Sequence, residues 1–258
     1  MRELKHPYLS IYRDGLSYGG SQTWCVSKTV HRSGCGLIAG TDLLLYLHRS
    51  HPKCSSPLFA DCEGDEPLSF GQYHRLVVQE IRKKYLPVIP HFGMNGWMLA
   101  GGLNRYFRNH RIPLRARWGV WGSALWEAVE ELLERDIPVI LAVGQNFPLI
   151  WGQNKLQFYV KRPDGTYCST CAVKAHFVTI TGIDCRWIQI SSWGKRYYID
   201  REEFVRYVKN TAAIYSVTLP TLRNYIKIAI ESWNKHDRSG CRSNLAGRPF
   251  SGLPAAGP

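Results

Sequence analysis

The fold of this chain is decided by the stretch Arg32-Ser33-Gly34-Cys35-Gly36-Leu37-Ile38-Ala39-Gly40-Thr41-Asp42-Leu43-Leu44-Leu45-Tyr46-Leu47. Its cysteine stands between two glycines, directly before an apolar run of about three helical turns. Gly34 permits a tight turn into the helix, and Gly36 leaves no side chain beside the sulfur. Apart from Thr41 and Asp42 the run is apolar on every side, which predicts a helix buried in the core.

A helix that begins near Cys35 brings its unpaired N–H groups and its positive dipole end next to the thiol. Both features favour the thiolate over the thiol, so the position suits a nucleophile. The alternative is that Cys35 is a small apolar residue that precedes a core helix, because free cysteines are often buried for packing alone.

Two later segments predict a β-hairpin. Residues 175–183 and 187–194 are rich in β-branched and aromatic residues, and Asp184-Cys185-Arg186 between them is short enough for a hairpin turn. The pairing sets His176, at the start of one strand, close to Ser191 or Ser192 at the end of the other. A histidine held on a strand beside a small polar residue is a suitable base for a cysteine elsewhere in the chain.

These segments resemble those of the papain-like cysteine hydrolases, in particular the bacteriocin-leader-peptidase-like (double-glycine peptidase-like) branch. In that family a Gly-Cys-Gly opens the central helix and a histidine begins a strand. The next strand ends in Asn-Ser-Trp-Gly in papain, where this chain has Ser191-Ser192-Trp193-Gly194. The resemblance spans roughly residues 22–219 in element order, and these two short segments are its specific part.

The resemblance implies an α+β fold in which a buried helix with the nucleophile at its N-terminus packs on an antiparallel sheet. It implies Cys35 and His176 as catalytic residues, with Ser191 in the place of the orienting Asn or Asp. The activity implied is that of a cysteine-dependent hydrolase or acyl transferase acting on a peptide or amide bond. This chemistry needs no metal or organic cofactor.

In papain-like enzymes a glutamine upstream of the nucleophile donates to the oxyanion. Gln22 is the only glutamine before Cys35 and is assigned that role, which requires a fixed N–H donor where negative charge develops. Cys25 is the rival nucleophile, but no helix-entry glycines flank it. A serine hydroxyl at 191 accepts a hydrogen bond from imidazole without adding charge, so Asp184 and Asp200 are the next candidates for the orienting group.

The 258 residues, 45% of them hydrophobic, suffice for one sizeable core. We expect a single papain-like domain over residues 1–236. Residues 212–217 are predicted to form the last strand and residues 221–234 an amphipathic helix. Residues 237–258 contain Ser, Gly, Pro and Arg without periodicity, which predicts a disordered tail.

The formal net charge of +13 favours acidic partners such as nucleic acid or an anionic polymer. Five arginines concentrate in one stretch, namely Arg105, Arg108, Arg111, Arg115 and Arg117. No base-reading motif accompanies them, so a solvated basic helix face and loop is favoured over a nucleic-acid site. Two alternatives to an enzyme stay open: an inert papain-like binding module, and a protein that works through this basic surface.

The eight cysteines are too sparse for a disulfide scaffold in a chain of this length. Cys168 and Cys171 have the gap of a zinc knuckle, but no second pair stands at a typical spacing, so no metal site is predicted. No apolar run is long enough to span a membrane, and the N-terminus lacks the apolar region of a signal peptide. We therefore expect a soluble, cytoplasmic protein whose oligomeric state the sequence does not determine.

Overall fold

The computed structural model describes residues 1–120, 125–143, 155–212 and 223–230. Within these residues the fold is α+β, as predicted. The helices are α1 (Lys28–Ser33), α2 (Cys35–Ser50), α3 (Phe70–Arg75), α4 (Arg82–Lys84), α5 (Gly96–Asn109), α6 (Leu125–Glu134) and α7 (Arg201–Ala212). Short 3-10 turns lie at Gln22–Trp24, Pro52–Cys54 and Pro57–Cys62, and a π-helical turn at Leu76–Ile81 joins α3 to α4.

The large sheet is antiparallel between every pair of neighbouring strands in the described part of the chain. Its strands are β1 (Arg2–Glu3), β4 (Leu114–Val120), β5 (Val139–Val143), β6 (Leu156–Lys161), β7 (Tyr167–Val173), β8 (His176–Ile183), β9 (Trp187–Ser192), β10 (Lys195–Asp200) and β11 (Arg223–Ile230). Their order is β4-β11-β5-β8-β9-β10-β6-β7, and β1 pairs with the end of β8. The remaining strands, β2 (Ile11–Tyr12) and β3 (Leu68–Ser69), form a small parallel pair.

Helix α2 is the core helix, and it packs on β8 and β5 in the centre of the sheet. Nearly all of its residues are buried, including the polar Thr41 and Asp42. Two glycines one helical turn apart allow its close approach to neighbouring elements. A Cβ on Gly36 would lie 3.2 Å from the Phe177 ring of β8, and one on Gly40 would overlap Leu86.

Helices α1 and α2 meet at Gly34, which ends the first and precedes the second. Gly34 donates its N–H to the carbonyl of Val30 at 2.8 Å, and any Cβ at this position would overlap that same carbonyl. Only glycine fits such a close approach. The chain therefore turns between the two helices without a side chain, and α2 begins at Cys35, as the Gly-Cys-Gly pattern predicts.

Three expectations about secondary structure change. The helix predicted over residues 221–234 is wrong, because residues 223–230 form β11 between β4 and β5. Ile226, Ile228 and Ile230 alternate in sequence, and pairing with two neighbours decided between this period and the helical one. The basic stretch, expected as a helix face and loop, also includes a strand, because Arg115 and Arg117 lie on β4. Of the strand predicted over residues 212–217, Ala212 instead ends α7, and residues 213–217 are outside the described residues, as are residues 237–258.

Candidate active site

A small pocket opens where the first turns of α2 meet the start of β8 and the end of β9. It is lined by the four site residues predicted from the sequence, Cys35, His176, Ser191 and Gln22. The other lining residues are Gly20, Ile38, Ala39, Asp42, Phe177, Thr179, Ser192 and Trp193. The structure thus brings together residues that are far apart in the chain.

The sulfur of Cys35 lies at the N-terminus of α2, among backbone N–H groups. Those of Cys35 and Gly36 come from the helix itself, and that of Phe177 comes from β8. Burial raises the pKa of the Cys35 thiol above its usual value, and the three N–H groups offset only part of that effect. The resting form at neutral pH is therefore the thiol, in an environment that already holds donors for a thiolate.

The imidazole of His176 is held on two sides. Its Nε2 atom lies 2.7 Å from the Ser192 hydroxyl, and the Trp193 ring stacks on it with 4.4 Å between ring centroids. The residue is only 8% exposed, and this burial lowers its pKa to about 4. His176 is therefore neutral at pH 7 and able to accept a proton.

Cys35 and His176 line the same pocket without a direct hydrogen bond. No contact within hydrogen-bond distance joins the sulfur to either ring nitrogen in the described residues. The Phe177 N–H at the sulfur belongs to the residue directly after His176, so the backbone of β8 connects the two groups. Because Nε2 is engaged by Ser192, Nδ1 is the ring nitrogen that has no hydrogen-bond partner among the described residues.

The orienting hydroxyl is that of Ser192 and not that of Ser191, one residue away from our expectation. Ser191 pairs with Thr179 across the hairpin, and its hydroxyl donates to the Tyr18 carbonyl at 2.8 Å. Successive side chains of a strand point to opposite faces of the sheet. His176 lies an odd number of residues from Thr179, so it shares its face with Ser192 and not with Ser191.

The turn after Ser192 is strained, and the strain places the Trp193 ring. Ser192 pairs with Lys195, so Trp193 and Gly194 form a two-residue hairpin turn, with φ of 50° and 73°. Positive φ at both positions is typical of the turn that matches strand twist, but it is unusual for a tryptophan. Stacking on His176 and contacts with Phe158 and Tyr197 hold the indole in this conformation.

Gln22 begins the 3-10 turn that follows Gly20 and Ser21. Its Nε2 donates to the carbonyl of His31 in α1 at 3.0 Å, which anchors the amide beside the helix that leads to Cys35. Its Oε1 is buried without a hydrogen-bond partner. Cys25, the rival nucleophile, is buried at the end of the same turn and does not line the pocket.

Asp184 and Asp200, the alternative orienting groups, act elsewhere. Asp184 accepts from the backbone N–H groups of Arg186 and Trp187 in the hairpin turn. Asp200 caps α7 by accepting from the N–H groups of Glu202 and Glu203. Neither carboxylate lines the pocket, so Ser192 is the polar side chain bonded to His176.

The sequence analysis missed Asp42 as a site residue, although it noted the residue as an exception in the apolar run. Asp42 lies two helical turns after Cys35, on the same side of α2. It is 2% exposed, and it accepts from the Tyr73 hydroxyl at 2.5 Å and from the Gly20 N–H at 2.9 Å. Burial raises its pKa to about 6, and these hydrogen bonds lower it in part.

The remaining candidates lie away from the pocket. Cys168 and Cys171 are free thiols on β7, and no group of three or more metal-ligating side chains occurs in the described residues. The five arginines of the basic stretch are exposed, three on or after α5 and two on β4. Among the described helices, none has both the length and the apolar character needed to cross a membrane.

His176 and Asp42, two buried ionisable groups of the pocket, are expected to change the stability of the fold in opposite directions as the pH changes. His176 binds protons less readily when folded, so its contribution is full above pH 6.5 and is lost as the pH falls toward 4. Asp42 binds its proton more readily when folded, so its contribution is full below pH 3.8 and is lost as the pH rises toward 6. Each change corresponds to about 3 kcal/mol.

Urea unfolding of His176→Gln and Asp42→Asn between pH 4 and 7 gives the free energy of unfolding of each variant minus that of wild type. As the pH rises from 4 to 6.5, this difference should increase for Asp42→Asn and decrease for His176→Gln. Asp14→Asn and His31→Gln, at exposed positions, are the matched controls. Differences that do not change with pH would contradict the assigned burial effects.

Comparisons with known proteins add no relative to this geometry. No family model, no curated protein and no solved structure matches the chain. Function is therefore inferred from the pocket itself.

Proposed function

We propose that this protein is a cysteine-dependent hydrolase or acyl transferase that acts on a peptide or amide bond. Cys35 is the nucleophile and His176 the base. One observation carries the proposal: a cysteine at a helix N-terminus, near backbone N–H groups, shares a pocket with an oriented, neutral imidazole. The resemblance of the two segments to papain-like hydrolases supports the same assignment.

The first chemical step is attack by Cys35 on the substrate carbonyl. His176 accepts the thiol proton while the new S–C bond forms, and the carbonyl oxygen becomes an oxyanion. His176 then returns the proton to the leaving amine as the C–N bond breaks, which leaves a thioester on Cys35. Water or another nucleophile releases the acyl group and restores the thiol.

The oxyanion requires fixed donors near the sulfur. The backbone N–H of Cys35 is one donor at this end of α2. Gln22 is assigned as the second, because its Nε2 donates one N–H to the His31 carbonyl, which leaves one N–H of the amide for the oxyanion, and the residue lines the pocket. This arrangement fixes the amide before substrate binds, so little reorganisation is needed during the reaction.

The resting site holds a neutral pair and not an ion pair. Burial raises the pKa of the Cys35 thiol and lowers that of the His176 imidazole. Proton transfer therefore accompanies attack on the substrate and does not precede it. The N–H groups around the sulfur stabilise the charge that develops in that step.

The first alternative is a papain-like binding module in which Cys35 is inert, and the partly buried, neutral thiol favours it. The second is a protein that acts through its basic surface, which the exposed arginines of α5 and β4 favour. Retention on an anionic matrix that falls steeply with salt, without turnover, would support the second alternative.

Labelling with a peptidyl acyloxymethyl ketone, mapped by mass spectrometry, tests the nucleophile. We expect modification at Cys35, loss of labelling in Cys35→Ala and in His176→Ala, and unchanged labelling in Cys25→Ala. Turnover of a pool of peptidyl coumarin amides should follow the same pattern. Exposed Cys185 reports nonspecific reaction in the same sample. Labelling at Cys25, or none above the level of Cys185, would overturn the proposal.

Removal of the Ser192 hydroxyl should lower turnover because the imidazole loses the partner of Nε2. We expect Ser192→Ala to reduce kcat about tenfold, or roughly 1.4 kcal/mol. Ser191→Ala, the matched variant one residue away, should lower kcat less than Ser192→Ala does, since its hydroxyl donates to the Tyr18 carbonyl and does not contact the imidazole. Initial rates of the two variants and of wild type test this assignment. A larger loss of kcat in Ser191→Ala than in Ser192→Ala would return the orienting role to Ser191.

A further inference from the structure

The segment Tyr18–Gly20 connects the parts of the candidate site. Gly20 accepts from the Gly194 N–H at 2.8 Å, and Tyr18 donates to the Gly194 carbonyl at 2.8 Å. Gly194 belongs to the turn that carries the partners of His176. On its other side, Gly20 leads within two residues to Gln22. Any displacement of this segment would therefore move both the His176 turn and the Gln22 amide.

Every backbone polar group of the segment is bonded. Tyr18 accepts from Ser191, Gly19 donates to Leu9 and accepts from the Ser17 hydroxyl, and Gly20 donates to Asp42. Only the last of these bonds ties the segment to α2, the helix that carries Cys35. The Asp42 carboxylate is thus the link between the segment and the nucleophile.

The fit around this link leaves no room for side chains. Gly19 has a φ of 76°, and a Cβ there would lie 2.7 Å from the Asp42 carboxylate and overlap the Ser191 hydroxyl. A Cβ on Gly20 would overlap the Tyr73 hydroxyl, which itself donates to Asp42. Two consecutive glycines allow the backbone to reach a carboxylate that is buried under it.

A buried carboxylate is costly unless its hydrogen bonds are made, so a helix that only fills the core would carry an apolar residue here. The ionisable groups around Asp42 are Tyr8 from the N-terminal segment and Tyr73 from α3. The same pocket is lined by His176 from β8 and by Cys35 from α2, the helix that also carries Asp42. Among the described residues no Lys or Arg side chain lines this pocket, and the contacts of Asp42 there are with hydrogen-bond donors.

We propose that Asp42 is a positioning residue of the candidate site: its carboxylate holds the Gly20 N–H and thereby sets Gln22 and the Ser192–Gly194 turn relative to Cys35. This inference rests on the proposed function. It assigns no proton transfer to Asp42, which acts on the reaction only through the segment that it binds.

The test compares Asp42→Ala, which removes the acceptor, with Asp42→Asn, whose amide oxygen still accepts from Gly20. Three quantities are measured on folded protein: hydrogen exchange of the Gly20 amide, kcat and KM with the peptidyl coumarin amides, and alkylation of Cys35 by iodoacetamide relative to Cys185. For Asp42→Ala we expect at least tenfold faster exchange, a tenfold or larger loss of kcat with KM nearly unchanged, and at least a threefold change in the alkylation ratio. Asp42→Asn should stay within threefold of wild type in all of them.

Thr41→Val is the matched control for stability, because Thr41 is a similarly buried neighbour whose hydroxyl donates to the Leu37 carbonyl within α2. It should lower the midpoint of unfolding and leave kcat and Gly20 exchange unchanged. If Asp42→Ala does not fold, Asp42→Ser replaces it, since the shorter side chain keeps a polar group but does not reach Gly20.

The outcomes separate the two proposals. If wild type shows no turnover that depends on Cys35, the proposed function fails, and Gly20 exchange with the alkylation ratio still decides the role of Asp42. If Asp42→Ala has a kcat, an alkylation ratio and a Gly20 exchange rate within twofold of wild type, Asp42 does not position the site. A loss of kcat that Asp42→Asn does not rescue would also overturn the inference.

Discussion

The contact between Gly36 and the Phe177 ring is the constraint on which the rest of the site depends. It sets how closely α2 crosses β8, with a Cβ position only 3.2 Å from the ring. That approach brings the Phe177 N–H to the Cys35 sulfur and places His176, the preceding residue, at the same pocket. A larger residue at position 36 would separate α2 from β8, and Cys35 from His176, without altering either of the two residues.

Burial determines the chemistry of the site as much as proximity does. The same desolvation keeps Cys35 as a neutral thiol and His176 as a neutral imidazole. Neither residue therefore carries a buried charge in the resting state. Asp42 is the exception, because it is buried as a hydrogen-bonded acceptor within the same pocket. Its cost is offset in part by the Tyr73 and Gly20 donors. The site thus combines two neutral groups, Cys35 and His176, with Asp42, whose carboxyl group is held by hydrogen bonds.

The orientation of His176 depends on a strained turn rather than on a charged partner. A hydroxyl at Nε2 supplies direction but little electrostatic stabilisation of an imidazolium. Stacking by Trp193, in an unfavourable backbone conformation, restricts the ring further. The bonds from Gly194 to the Tyr18–Gly20 segment in turn hold that turn in place. Packing, together with one neutral hydroxyl, therefore orients the imidazole in this pocket.

Local sequence determined the features that depend on neighbouring residues: the helix that begins at Cys35, the hairpin that begins at His176 and the α+β class. Glycine conformations, apolar runs and β-branched residues act over a few positions, so these features could be predicted. Only the tertiary structure decided which serine faces His176, because a shift of one residue in strand pairing reverses the face of every side chain. It likewise decided that residues 223–230 form a strand, since two neighbouring strands supply the pairing. The partners of Asp42 lie in segments far from it in the chain, and folding alone brings Gly20 and Tyr73 to its carboxylate.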